Sequence, residues 1–172
     1  MKLKLSNILQ IVAAFFAILA IVCLFLPGVS QKASEMGTTA TISISLIGLV
    51  FGGGPLKVTF SGGAASANTS SDYKGAMSIF GLLAFILLVV AIVLAIVAVV
   101  MKKSNLLIPA GAVAVVAGIC VLLVMVAGTA SEGIAFKDMM EGFKLAIGSI
   151  LFAVSAILGG GLLVASKVMD TK

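Results

Sequence analysis

The side chains that carry most enzyme chemistry are sparse in this sequence. It contains no His, no Arg and no Trp. Without an imidazole, neither a Ser-His-Asp nor a Cys-His arrangement can be assembled. The two cysteines, Cys23 and Cys120, both fall inside apolar stretches. They form no disulfide framework, and two thiols without histidine are a poor metal set. They read as small apolar packing residues. The six acids, Glu35, Asp72, Glu132, Asp138, Glu141 and Asp170, all stand outside the apolar blocks. No carboxylate pair is therefore placed for a proton relay or a cation path through a membrane. The glycines of "FGGGPLK" (Phe51–Lys57) lack the Gly-Lys-Ser/Thr ending of a phosphate loop. These exclusions predict a protein that is not an enzyme and needs no cofactor and no metal.

Among the few polar groups inside the apolar blocks are Gln10, Ser149 and Ser155. They are expected to bond to backbone carbonyls or across helices. The blocks also offer small residues at four-residue spacing. These are Ala110, Ala114 and Gly118; Ser149 with Ala153; Ala156 with Gly160 inside "LGGG"; Ala91 with Ala95; and Ala13 with Ala17. Such rows let helix backbones approach closely where lipid removes the hydrophobic drive between helices. Real packing faces are expected at Ala110, Ala114, Gly118, Ala156 and Gly160, which are candidate assembly residues.

The elements that must position these residues follow from composition. The chain has 172 residues, 62% hydrophobic and 10% charged, with a mean hydropathy of +1.33. Soluble domains carry roughly 25% charged residues. Four blocks, Ile8–Leu26, Met77–Met101, Leu106–Gly128 and Leu145–Ser166, contain no Asp, Glu or Lys. Each is long enough to cross a hydrocarbon core of about 30 Å at about 1.5 Å per residue. The first follows Lys2 and Lys4 as a signal peptide would. Its apolar stretch is too long and lacks a clean small-x-small site, so it is read as an anchor.

Net charge is +5. With both termini inside, the inner segments hold six lysines against Asp170, while the outer segments hold five lysines and five acids. The excess sits on one side, as the positive-inside rule expects, with Lys102 and Lys103 in the turn between spans two and three. The charge is thus read as topology and headgroup contact rather than a nucleic-acid patch. A multi-pass protein of the plasma or cytoplasmic membrane is expected, with both termini cytoplasmic.

The outer segment, residues 27–76, contains "TISISLIGLVFGGGPLKVTFSGG" (Thr41–Gly63). Ile42, Ile44 and Leu46 alternate with polar residues; after Gly52-Gly53-Gly54-Pro55, Leu56, Val58 and Phe60 do so again. Period two on either side of a Gly/Pro break predicts an antiparallel hairpin. Burial of one face requires the register to keep Ile44, Leu46, Val58 and Phe60 together, as in Val50–Leu56, Gly48–Val58 and Leu46–Phe60 pairing. Since an isolated hairpin is marginal in water, its apolar face (Ile42, Ile44, Leu46, Val58, Phe60) needs a cover. Residues 61–75 read as a flexible return, with a glycosylation sequon at Asn68-Thr69-Ser70. In the second outer loop, 129–144, Phe136, Met139, Met140 and Phe143 recur at helical spacing, with Ser131 as a cap. This predicts an early start of span four or an interfacial lead-in to it, with a Met/Phe partner site as the alternative.

Four spans, both ends inside and a strand-bearing first outer segment resemble the claudin and peripheral-myelin-type membrane proteins. The resemblance covers the whole chain in topology. That family's first loop carries Gly-Leu-Trp followed by two cysteines; the nearest stretch here is Gly48-Leu49-Val50, with no Trp and no Cys in the loop. The resemblance implies an extracellular sheet, a four-helix bundle and lateral assembly. The expected fold class is a membrane all-α protein: a four-transmembrane-helix bundle, one integral membrane domain over 1–172, with a small extracellular antiparallel β-hairpin or sheet. The expected function is a non-enzymatic scaffold or adhesion element. Its partners would be membrane lipid and further copies of itself or another membrane protein, not nucleic acid. The alternatives are a homo-oligomeric pore, or an accessory subunit whose activity belongs to its partner.

Overall fold

The long runs of Leu, Ile, Val and Ala fold as four long helices, which satisfy their backbone groups internally. The computed structural model describes residues 5–35, 38–61, 67–74, 76–130 and 136–170. Along the chain come α1 (Leu5–Cys23), β1 (Pro27–Glu35), β2 (Thr38–Ser45), α2 (Leu46–Phe51) and β3 (Gly53–Ser61). Then follow β4 (Ala67–Lys74), β5 (Ala76–Ser78), α3 (Ile79–Val100), α4 (Leu107–Leu122), β6 (Gly128–Ala130), α5 (Phe136–Met139), β7 (Lys144–Leu145) and α6 (Ile147–Asp170). The protein is mostly helical with a small antiparallel sheet. Four helices are long and apolar enough to span a membrane: α1, α3, α6, and α4 with its preceding 3-10 turn at Ser104–Leu106. Pro109 is tolerated in the first turn of α4, where a backbone N–H has no helical partner to lose.

The span edges differ from those expected. The third helix stops at Leu122 rather than Gly128, because Gly128–Ala130 pairs with Ala76–Ser78 as a two-stranded ribbon. The fourth runs on to Asp170, with Lys167 in its last turn, where a cation complements the helix dipole.

The chain folds into two compact units. The helical unit gathers Met1–Val22, Leu83–Val121 and Leu151–Lys172. Its helices are unequally covered: 44% of the apolar window is buried in α4 and in α6, against 22% in α3 and 17% in α1. The α4–α6 pair is therefore the packed centre. Val93, Ile96 and Val99 of α3 and Ile11, Phe15 and Ile18 of α1 remain exposed.

The sheet unit gathers Cys23–Leu82 and Leu122–Ile150. Its main sheet has five antiparallel strands in the order β4-β3-β2-β1-β7. The expected hairpin is present as β2 and β3, in a register that keeps the apolar residues together: Ile44↔Leu56, Ile42↔Val58 and Ala40↔Phe60. The particular pairing of Val50, Gly48 and Leu46 with Leu56, Val58 and Phe60 is corrected. The partners lie six residues earlier because Leu46–Phe51 is helical. Ser45 caps α2 by accepting from Gly48 N–H at 3.2 Å, and Gly52 closes it at φ 71°, a left-handed position that glycine occupies without steric cost.

Two further expectations change. The flexible return of 61–75 is in part a strand: β4 pairs with β3 in eight consecutive positions, Gly53↔Lys74 to Phe60↔Ala67. Small polar residues suffice because β3 supplies the ladder. The sequon residues Asn68, Thr69 and Ser70 sit within it. The second loop is not a lead-in to α6. Its helix ends at Met139, Gly142 turns the chain at φ 82°, and Lys144–Leu145 joins the sheet edge against Ser30 and Val29. Phe136 and Met140 are buried in this unit. The Ser131 cap lies outside the described residues.

Candidate functional site

Strand register assigns each side chain of the sheet to a face. One face carries the rows Val29–Ile44–Leu56, Gln31–Ile42–Val58 and Ala33–Ala40–Phe60. The other carries Ser30–Ser43–Lys57 and Lys32–Thr41–Thr59, with Lys144 extending the first of these. Lys32, Lys57 and Lys144 are all exposed. The apolar face is covered at one end and bare at the other. Val29 and Ile44 are buried, Ile42, Leu56 and Val58 are half-buried, and Phe60 is 40% exposed. Leu46 is fully buried too, but as the first residue of α2 rather than as part of the strand face.

Hydroxyl groups tie the sheet unit together. Ser78 precedes α3, accepts from Gly81 N–H at 3.1 Å and donates to the Val124 carbonyl at 2.5 Å, fully buried. Ser149, in the first turn of α6, donates to the Gly28 carbonyl of β1 at 2.7 Å. The expectation that Ser149 bonds to a backbone carbonyl is met, with a strand rather than a helix as the acceptor.

In the helical unit the small-residue rows meet. Gly118 of α4 lies against Ala153 and Ala156, and Gly160 of α6 lies against Ala114. A Cβ on Gly118 would stand 2.9 Å from the Ala153 carbonyl oxygen. The tightest approach is at Gly111, one residue beyond the expected row. A Cβ there would fall on the Gly160 carbonyl oxygen, and one on Gly160 would stand 2.5 Å from the Gly111 carbonyl oxygen. Ala110, Ala114, Gly118, Ala156 and Gly160 are all buried within the chain's own helical unit. They are packing residues within one molecule. Spacing alone pointed to the helix faces; it could not separate Gly111 from its neighbours, since a row of Ala and Gly offers several equivalent phases.

A partly open apolar cavity of about 380 Å³ lies in the same unit. Ala17 of α1, Ala91 and Ala95 of α3, and Gly159 and Gly160 of α6 line it, and Gln10 and Ser155 are its polar liners. Among the described residues no group of three or more His, Cys, Asp or Glu comes together as a metal site, and Cys23 and Cys120 are free, buried thiols. No protein-family model matches the chain, and no curated protein matches it.

Proposed function

We propose that this chain is a non-enzymatic four-span membrane protein of claudin-like topology that assembles with copies of itself, as a scaffold or adhesion element of a cell envelope. The observation that carries this reading is the apolar row Ala40–Phe60 beside Ile42–Val58. It is held on one face of a sheet whose other face is polar. An apolar sheet face of this kind needs a cover. The lysine excess at the ends of the chain and at Lys102–Lys103 supports cytoplasmic termini, and hence an extracellular sheet.

Single-cysteine crosslinking tests the reading on the full chain in its membrane. Cys23 and Cys120 are buried, so a cysteine at Phe60 is the reactive one. Phe60→Cys is expected to yield dimers and larger species with a membrane-impermeant bifunctional maleimide added from outside. An exclusively monomeric product, matched by a monomeric mass in mild detergent, removes the proposal.

A further inference from the structure

The cavity of the helical unit is a slot rather than a chamber. Along α3 its lining runs from Leu88 to Val100, which at about 1.5 Å per residue is roughly 18 Å. One leaflet of a hydrocarbon core is roughly 15 Å deep. Its walls are made largely by absent side chains: Ala13, Ala14 and Ala17 on one side, Ala91 and Ala95 on another, Gly159 and Gly160 at the back. The lining is almost wholly apolar, which suits a hydrocarbon chain and not water.

One end of the slot is cationic. Val100 lines it, and Lys102 and Lys103 follow in the turn, both exposed. Leu163 lines it from α6, and Lys167 stands one turn further on, its Nζ donating to Ser104 Oγ of the same turn at 2.9 Å. Lys102 holds a left-handed backbone at φ 54°, a position where glycine is the less costly residue. The turn thus accepts local strain while presenting a lysine. Ser6 stands one helical turn before the liner Gln10 on α1, buried, with its hydroxyl lacking a hydrogen-bond partner among the described residues. An acyl-sized slot ending beside several lysines matches an anionic headgroup on a hydrocarbon tail.

We propose that the slot binds one acyl chain of an anionic phospholipid, with the phosphate at the Lys102–Lys103 turn. The test uses the full chain in phosphatidylcholine vesicles doped with a phosphatidylglycerol or a phosphatidylcholine that carries the same photoreactive acyl chain. Peptide mapping of the wild-type protein is expected to place the crosslinks on Ala95, Ser155 and Gly159 rather than on the outward Val90 and Val93. Capture of the phosphatidylglycerol should exceed that of the phosphatidylcholine roughly thirtyfold, the preference expected of two surface lysines. Replacing both, Lys102→Gln with Lys103→Gln, should level the two lipids, and Ala95→Phe should lower capture about tenfold by filling the slot. Crosslinks spread evenly over Val90 and Val93, equal capture of the two lipids by wild type, or a peptide of a second copy found in the slot each overturn the proposal. The wild-type map decides the matter even if Ala95→Phe fails to fold.

Discussion

The helical unit and the sheet unit achieve burial by opposite means. In the helical unit, contact is made by removing side chains. Gly111 and Gly160 bring two backbones together so closely that a methyl group fits on neither. In the sheet unit, contact is made by satisfying backbone groups, with ladders across five strands and serine hydroxyls closing what the ladders leave open. The first strategy belongs to a solvent of hydrocarbon, where packing rather than water drives association. The second is how a short, Ser- and Thr-rich segment orders itself with few large side chains. The seam between α4 and α6 is therefore fragile to an atom added at Gly111 or Gly160, and the sheet unit to a lost hydroxyl at Ser78 or Ser149.

That contrast can be broken at named residues. The largest effect is expected for Gly160→Leu, which drives a side chain into the α4 backbone. It should cost about 3 kcal/mol or more, read as loss of the folded fraction in denaturant titration in detergent. Next comes Ser78→Ala, which leaves the Val124 carbonyl and the Gly81 N–H without their partner. A loss of about 2 kcal/mol is expected by the same titration. Ser149→Ala should cost less, about 1 kcal/mol, because the Gly28 carbonyl also accepts from Ala146 N–H at 2.9 Å and so is not orphaned. An equal loss at Ser78 and Ser149 would mean that the second acceptor contact does not matter. The smallest stability change is expected at Phe60→Lys, within about 0.5 kcal/mol for an exposed position. The same substitution should shift the protein from an oligomeric to a monomeric mass in mild detergent. If it unfolds the unit instead, Phe60 belongs to the core and the assembly reading loses its surface.

Much of the architecture was legible in the residues because the apolar blocks are long and uninterrupted. Four uninterrupted apolar blocks have few other folds open to them, and the helices fall on those blocks with shifted ends. The alternation around Ile42 and Val58 was sufficient for two strands and for the parity of their pairing. It was not sufficient for the offset, because "LIGLVF" is apolar at every position and its helical turn is selected by Ser45 and Gly52, a cap and a stop that also suit a loop. β1 and β4 were harder to see for a different reason. "PGVSQKASE" and "ANTSSDYK" have little strand preference of their own and are ordered by the neighbours they pair with, information that no local pattern holds. On the helix faces, small-residue spacing pointed to Ala110, Ala114 and Gly118. The residue that sets the closest approach, Gly111, lies between two members of that row and has no distinguishing mark in sequence.

The three consecutive glycines of α6 act as a built-in gauge. Successive residues of a helix point about 100° apart, so each glycine looks in its own direction. Gly159 faces Phe16 and Ala13 of α1, Gly160 faces Gly111 and Ala114 of α4, and Gly161 meets nothing within 4 Å. One methyl group placed at each in turn therefore interrogates three boundaries of the same helix with identical chemistry. Where it meets backbone it destabilises, where it meets the Phe16 side chain it presses, and at Gly161 it steadies the helix by about 1 kcal/mol. A three-member alanine series along this tripeptide would therefore record, in one measurement, which neighbours α6 keeps when the protein is moved from detergent into lipid.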